Sequence, residues 1–170
     1  DFMIYRFKQI EDREKAVGEL VEYQENVLGW NLLRNDSAVI ESEDRSKITF
    51  IGVDNANFGK QGFPTIHKGD LKKALEGTDG FRILLSHDPM HWDMEVIGKD
   101  YPLTLSGHTH AMQFALGKWC PSKYMFRQYR GLYTVNSQHL YVNIGLGETI
   151  FPARIGAVPE ITLITLKRDS

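Results

Sequence analysis

The sequence predicts an α/β fold organised around a mixed β-sheet. Two patterns carry that reading: apolar runs of strand length alternate with segments of helical period, and the C-terminal part then offers strands alone. A third observation supports it. The apolar run Phe81–Leu85 has the look of a strand buried on both faces, as the interior of such a sheet requires.

The first element is a helix from about Gln9 to Leu28. Ala16, Val17, Leu20, Val21, Val27 and Leu28 recur at helical spacing, and Gly29 stands where a helix-terminating glycine belongs. Three strands are expected next, at Trp30–Leu33, Ala38–Glu41 and Ile48–Val53, the last two joined by the charged turn Glu43-Asp44-Arg45-Ser46. Residues 54–66 read as a loop. Asp70 caps a short helix that runs to Glu76. After the strand Phe81–Leu85 come a helix at Trp92–Gly98 and a strand at Leu103–Leu105. Residues 116–134 are rich in aromatics and read as irregular, and Leu140–Ile144 and Ile161–Leu166 close the chain as strands. The 170 residues fit one compact domain, with no internal repeat.

Composition narrows the function classes. The formal charge of −2, from 20 basic and 22 acidic residues, reads as scattered along the chain, and no basic stripe with interleaved aromatics is evident; nucleic acid is not an expected partner. The single cysteine, Cys120, excludes a disulfide framework, and the nearby Lys118 and Lys123 are too little to make it a nucleophile. No apolar run approaches the length of a membrane span, so the chain itself is expected to be soluble.

The chemistry is expected at the histidines. Ser86-His87-Asp88-Pro89 ends one predicted strand, and Gly107-His108-Thr109-His110 ends another. Ligand sites of open α/β sheets gather beyond the carboxyl ends of the strands, so both motifs deliver imidazoles to the productive edge. Gly107 is expected to give the backbone its freedom to turn. The His-x-His spacing leaves two outcomes open: in a straight strand both rings could grip one metal, and in a tight turn they could serve two. His67, His91 and His139 stand alone and read as ordinary polar residues.

The two motifs together resemble the last two metal motifs of calcineurin-like metallophosphoesterases. The segments Gly29-Trp30-Asn31-Leu32-Leu33-Arg34-Asn35, Tyr141–Gly147, Pro152-Ala153-Arg154 and Pro159–Leu163 are similar to the membrane-associated bacterial branch of that family. The resemblance covers roughly residues 29–166. It implies the C-terminal half of an α/β/β/α sandwich with mixed sheets and two divalent metal ions, from among manganese, iron and zinc. His87 and His108 would bind one ion and His110 the other. The implied activity is hydrolysis of a phosphomonoester, a phosphodiester or a lipid-linked pyrophosphate, through attack by a hydroxide held between the metals.

The family's Asp-x-His and Gly-Asn-His motifs do not occur in the chain, and its one Gly-Asp dipeptide, Gly69-Asp70, is read as a helix cap, not as the family's metal motif. Asp1-Phe2 suits the position just after the last of them, so the remaining ligands and the catalytic groups are expected upstream of Asp1. The isolated chain is accordingly expected to be inactive and to self-associate, as a homodimer for example, and the full-length protein to reach a membrane through an upstream segment. Arg154 is a candidate for binding a phosphate oxygen of the substrate; Gln113 and Asn143 sit in family-like segments without an assignable role. Two other readings compete: a hydrolase or hydratase built on a single zinc and three histidines, and a non-catalytic scaffold derived from a phosphoesterase.

Overall fold

The computed structural model describes residues 6–55 and 69–167. The chain divides into two compact units, Asp1–Arg34 and Asn35–Ser170. In the first, helix α1 spans Ile10–Glu22 and widens into a π-helical turn over Tyr23–Val27. The expected glycine terminator holds: Gly29 takes a left-handed φ of 67°, and the Trp30 N–H returns to the Gln24 carbonyl at 3.0 Å. Trp30–Leu33, expected as a strand, joins no ladder among the described residues. Its apolar sequence suits a strand, but a strand also needs a partner edge to satisfy its backbone.

The second unit is built on one six-stranded sheet. Its strands are β1 (Asp36–Glu41), β2 (Lys47–Gly52), β3 (Phe81–Leu85), β4 (Leu103–Ser106), β5 (Gly131–Val135) and β6 (Gln138–Val142), in the spatial order β1-β2-β3-β4-β6-β5. The sheet is mixed, as predicted. β2, β3, β4 and β6 run parallel, while β1 and β5 close the two edges as antiparallel hairpin partners. The charged turn is present, with Arg45 at φ 64° and the Ser42 N–H donating to the Ser46 carbonyl at 2.9 Å.

The connections behave as the sequence implied. Asp70 caps helix α2 (Leu71–Ala74), its carboxylate accepting the Lys73 N–H at 2.9 Å. A π-helical turn at Trp92–Val96 carries Trp92 and Val96 into the core, where they meet Ile51, Leu84, Tyr101, Leu140 and Val142. This apolar layer covers the parallel strands and fixes the direction in which their ends point.

Two readings of the C-terminal part need correction. Residues 131–135, taken as the end of an irregular segment, form the edge strand β5, paired with β6 across a two-residue turn at 136–137. Ile161–Leu166, expected as a strand, joins no ladder among the described residues, and Ile161 and Leu163 are exposed. Most of the loop at 54–66 lies outside the described residues, as do Asp1, Phe2 and His67.

Candidate metal centre

Because β3, β4 and β6 are parallel neighbours, their carboxyl ends open on one edge. His87 follows β3 and His108 follows β4, and the two rings meet edge to face with centroids 5.2 Å apart. The Gly107 N–H donates to the His87 carbonyl at 3.0 Å, which locks the two strand ends together. Gly107 does not make the turn that was expected of it. The left-handed residue is His108, at φ 69°, followed by His110, Ala111, Met112 and Gln113 at 48–56°. The place of Gly107 is set by closeness instead: a Cβ there would lie 3.7 Å from His87 Nδ1.

That left-handed run is costly for residues with side chains, and it is braced from several sides. The Thr109 hydroxyl donates to the Tyr129 carbonyl at 2.6 Å, and its oxygen accepts the Ala111 N–H at 3.2 Å. The buried Cys120 thiol donates to the Ala111 carbonyl at 3.3 Å, a structural role in keeping with its sequence setting. The buried Gln113 side chain donates to the carbonyls of Phe151 and Ala153 and accepts the Thr149 N–H, so it straps the 149–155 segment beneath the histidines. Asn143 shapes the end of β6, accepting the Gly145 N–H at 2.7 Å and donating to Thr162 at 2.9 Å.

The electrostatics favour neutral rings. Burial, aided by repulsion from His108 and His110, pushes His87 down to about 4. Burial also lowers His108, against the pull of the nearby Asp88 carboxylate. His110 is lowered by burial and then by the Arg154 guanidinium. Neutral imidazoles are the form that binds a transition metal.

Asp88 is the residue that sequence reasoning missed. It was read only as a turn residue before Pro89, yet its carboxyl is fully buried. One oxygen accepts the Met90 N–H at 2.9 Å and the other has no hydrogen-bond partner among the described residues. Burial raises its pKa. That carboxyl lies close enough to the His108 ring to raise its proton affinity, so it places a charge-balancing group at the strand ends without completing an ion position among the described residues. The signal was present in Ser86-His87-Asp88-Pro89 as a second ionisable group beside the histidine.

His110 is placed differently from the other two. Arg154 Nη2 lies 3.1 Å from its Nδ1, and a hydrogen bond between the ring and the Gly147 backbone opposes part of the lowering of its pKa. Arg154 itself is held by backbone: Nε and Nη2 donate to the Gly147 carbonyl, Nη2 also to that of Ile144 at 2.8 Å, and Nη1 to that of Ala157 at 3.2 Å. Among the described residues, no three His, Cys, Asp or Glu side chains converge on one ion position. The lone histidines keep ordinary roles. His91 is buried between Ser86 (2.8 Å) and Glu95 (3.2 Å), and His139 meets Thr134 at 3.0 Å.

The chain is 37% identical over 144 residues to the uncharacterized metallophosphoesterase YkuE of Bacillus subtilis, covering 82% of the chain and 47% of that protein. It is 35% identical over 171 residues to a transmembrane protein with metallophosphoesterase domain of Danio rerio (90% of the chain, 38% of that protein). A protein of the same description in Bos taurus is 37% identical over 131 residues, 74% of the chain and 29% of that protein. This chain belongs to the calcineurin-like metallophosphoesterases. It spans less than half the length of these curated relatives. No family model matches it, and no solved structure does.

Membership implies divalent metal ions. The mixed sheet is compatible with a metallophosphoesterase half-domain. No helix among the described residues is long and apolar enough to cross a membrane.

Proposed function

We propose that this chain supplies part of the metal site of a phosphoesterase, with His87 and His108 as ligands to one divalent ion and His110 as a ligand to a second. The observation that carries the proposal is the edge-to-face pair of imidazoles, both biased to the neutral form by partial desolvation, at the ends of adjacent parallel strands. Manganese, iron and zinc are the ions that imidazole donors favour. Bound in pairs, such ions supply Lewis acidity and activation of the nucleophile in phosphoryl chemistry. The chain's own part is to hold neutral donors rigidly and to offset positive charge with the Asp88 carboxylate. Arg154 keeps the 144–147 turn closed beside His110. The division between the histidines supports two ions over a single zinc held by all three, since no three donors share one position among the described residues.

The substrate class follows the same reading: a phosphomonoester, a phosphodiester or a lipid-linked pyrophosphate. The names of the vertebrate relatives join a metallophosphoesterase domain to a transmembrane protein, which favours a full-length protein working at a membrane. The test is metal content by mass spectrometry and phosphodiester hydrolysis in the full-length protein. His87→Ala and His108→Ala are each expected to reduce bound metal and to lower turnover by at least about 100-fold. Unchanged metal content in both variants would sink the assignment.

A further inference from the structure

The charges are less scattered than the composition implied. Between Tyr101 and Gly147 there is not one of the chain's 22 acidic residues, while four of its 20 basic residues, Lys118, Lys123, Arg127 and Arg130, fall within 118–130. The same short stretch exposes large apolar side chains: Leu116 at 61%, Trp119 at 42%, Tyr124 at 72% and Met125 at 59%.

These residues share a patch. Leu116 and Trp119 exchange two backbone hydrogen bonds, 2.9 and 3.0 Å, that close a tight turn. Trp119 packs edge-on against Phe114 at 5.9 Å, and its side chain is hydrogen-bonded to that of Tyr124. Lys123 Nζ lies 4.9 Å from the centre of the Tyr124 ring. Arg127 reaches Asp93 at 3.7 Å with its side chain still 83% exposed. The patch is tied to the metal centre: Phe126 packs against the His108 ring at 5.6 Å, and Tyr129 and Cys120 brace the left-handed run.

We infer that residues 116–127 form an interfacial docking surface for an anionic lipid bilayer. Trp119, Tyr124, Leu116 and Met125 sit at headgroup depth, and Lys118 and Lys123 lie against lipid phosphates. The chemistry matches on both counts. Trp and Tyr partition to the membrane–water boundary because each has an apolar body and a polar tip, and a basic cluster is drawn to the negative surface potential of the bilayer. Single-stranded nucleic acid is the weaker fit, since it needs aromatic faces free for base stacking. Here Lys123 lies over the Tyr124 ring and Trp119 is engaged with Phe114. Docking through this surface is independent of whether the histidines bind metal, and the packing of Phe126 on His108 means that it would hold the metal centre close to the lipid.

The experiment is sedimentation of the full-length protein with vesicles of phosphatidylcholine alone or mixed with phosphatidylglycerol, in both plain and brominated form. Binding is expected to the mixed vesicles and to fall severalfold as salt rises from about 0.1 M to about 1 M, which shortens the Debye length from about 10 Å to about 3 Å. Brominated mixed vesicles should quench tryptophan emission. Trp119→Phe should remove most of that quenching while binding stays within about twofold, because Phe keeps the apolar body. The double variant Lys118→Glu/Lys123→Glu should lower the affinity by at least about tenfold; Lys118→Arg/Lys123→Arg should retain it. A parental melting temperature for each variant separates lost docking from lost folding. Three results would each overturn the inference: equal binding to both vesicle types, quenching that survives Trp119→Phe, or binding that ignores charge reversal. So would affinity for an acidic protein or a nucleic acid with none for vesicles.

Discussion

The two strand ends that carry the histidines reach the same edge by different means. After β3, the chain leaves the sheet without a left-handed residue. Pro89 and the first turn of the following helix set its course, and the Ser86–His91–Glu95 chain of hydrogen bonds lies within ten residues of sequence. After β4, five of the six residues from His108 to Gln113 are left-handed, and partners as far away as Tyr129 and Ala153 hold them there. One junction is local and relaxed. The other stores backbone strain and is kept in place by the C-terminal part of the chain. The geometry of His110, a proposed ligand, is therefore set by residues distant in sequence.

That contrast can be broken at Gln113. Its buried amide makes three hydrogen bonds to the backbone of 149–153, and Gln113→Leu leaves those groups unpaired. The expected loss is about 3 kcal/mol or more in urea denaturation of the full-length protein. A cost below about 1 kcal/mol would mean that the strap is dispensable. Acid is the next probe. The folded-state pKa of His87 lies below its unfolded value, so unfolding takes up a proton as pH falls below about 6.5, and stability drops until about pH 4. The metal-depleted protein should lose stability over that window, by less than the full shift implies because the His87 ring is exposed to solvent. His87→Gln should flatten the profile between those limits, and an unaltered slope would assign the effect elsewhere.

Smaller substitutions sharpen the comparison. Thr109→Val removes the bond to the Tyr129 carbonyl and leaves that oxygen to find another donor, for an expected cost of about 1.5 kcal/mol. The last test turns on sign. Met112 is exposed and left-handed at φ 51°, so Met112→Gly should stabilise the protein by about 0.5–1 kcal/mol. Met90, in the helical turn after β3, should show the reverse, with Met90→Gly destabilising by about 1 kcal/mol. Melting curves of the pair would decide it, since two shifts of one sign would remove the distinction between the junctions.

The relaxed junction was legible in the sequence and the strained one was not. Phe81–Leu85 announces a strand, and Pro89 announces where it must stop, although only Ile83 and Leu84 are buried and Phe81 is exposed. Nothing in His110-Ala111-Met112-Gln113 signals four consecutive positive φ values, because such a backbone is imposed by partners distant in sequence. The hairpin of β5 and β6 could have been read. Asn136-Ser137 is a two-residue turn with Asn136 at φ 54°, between segments of strand composition, but the aromatics upstream drew Gly131–Val135 into an irregular reading. Trp30–Leu33 and Ile161–Leu166 fail in the opposite direction. Their composition suits strands, and composition cannot report whether an edge is available to pair with. The histidine positions were visible, whereas the burial of Asp88 depends on packing that only the assembled sheet creates.

The order of the strands has a consequence for how the chain is made. Ile48 pairs with Phe81, and Leu103 with His139, so each parallel pairing must close a long loop before it returns any stabilisation. β6 is the last strand in sequence yet lies between β4 and β5. During synthesis, the edge that presents His87 and His108 stays open on one side until Val142 has cleared the ribosome. Up to that moment β4 has only β3 beside it, and its other edge is open to capture by a chaperone or by the same strand of a neighbouring nascent chain.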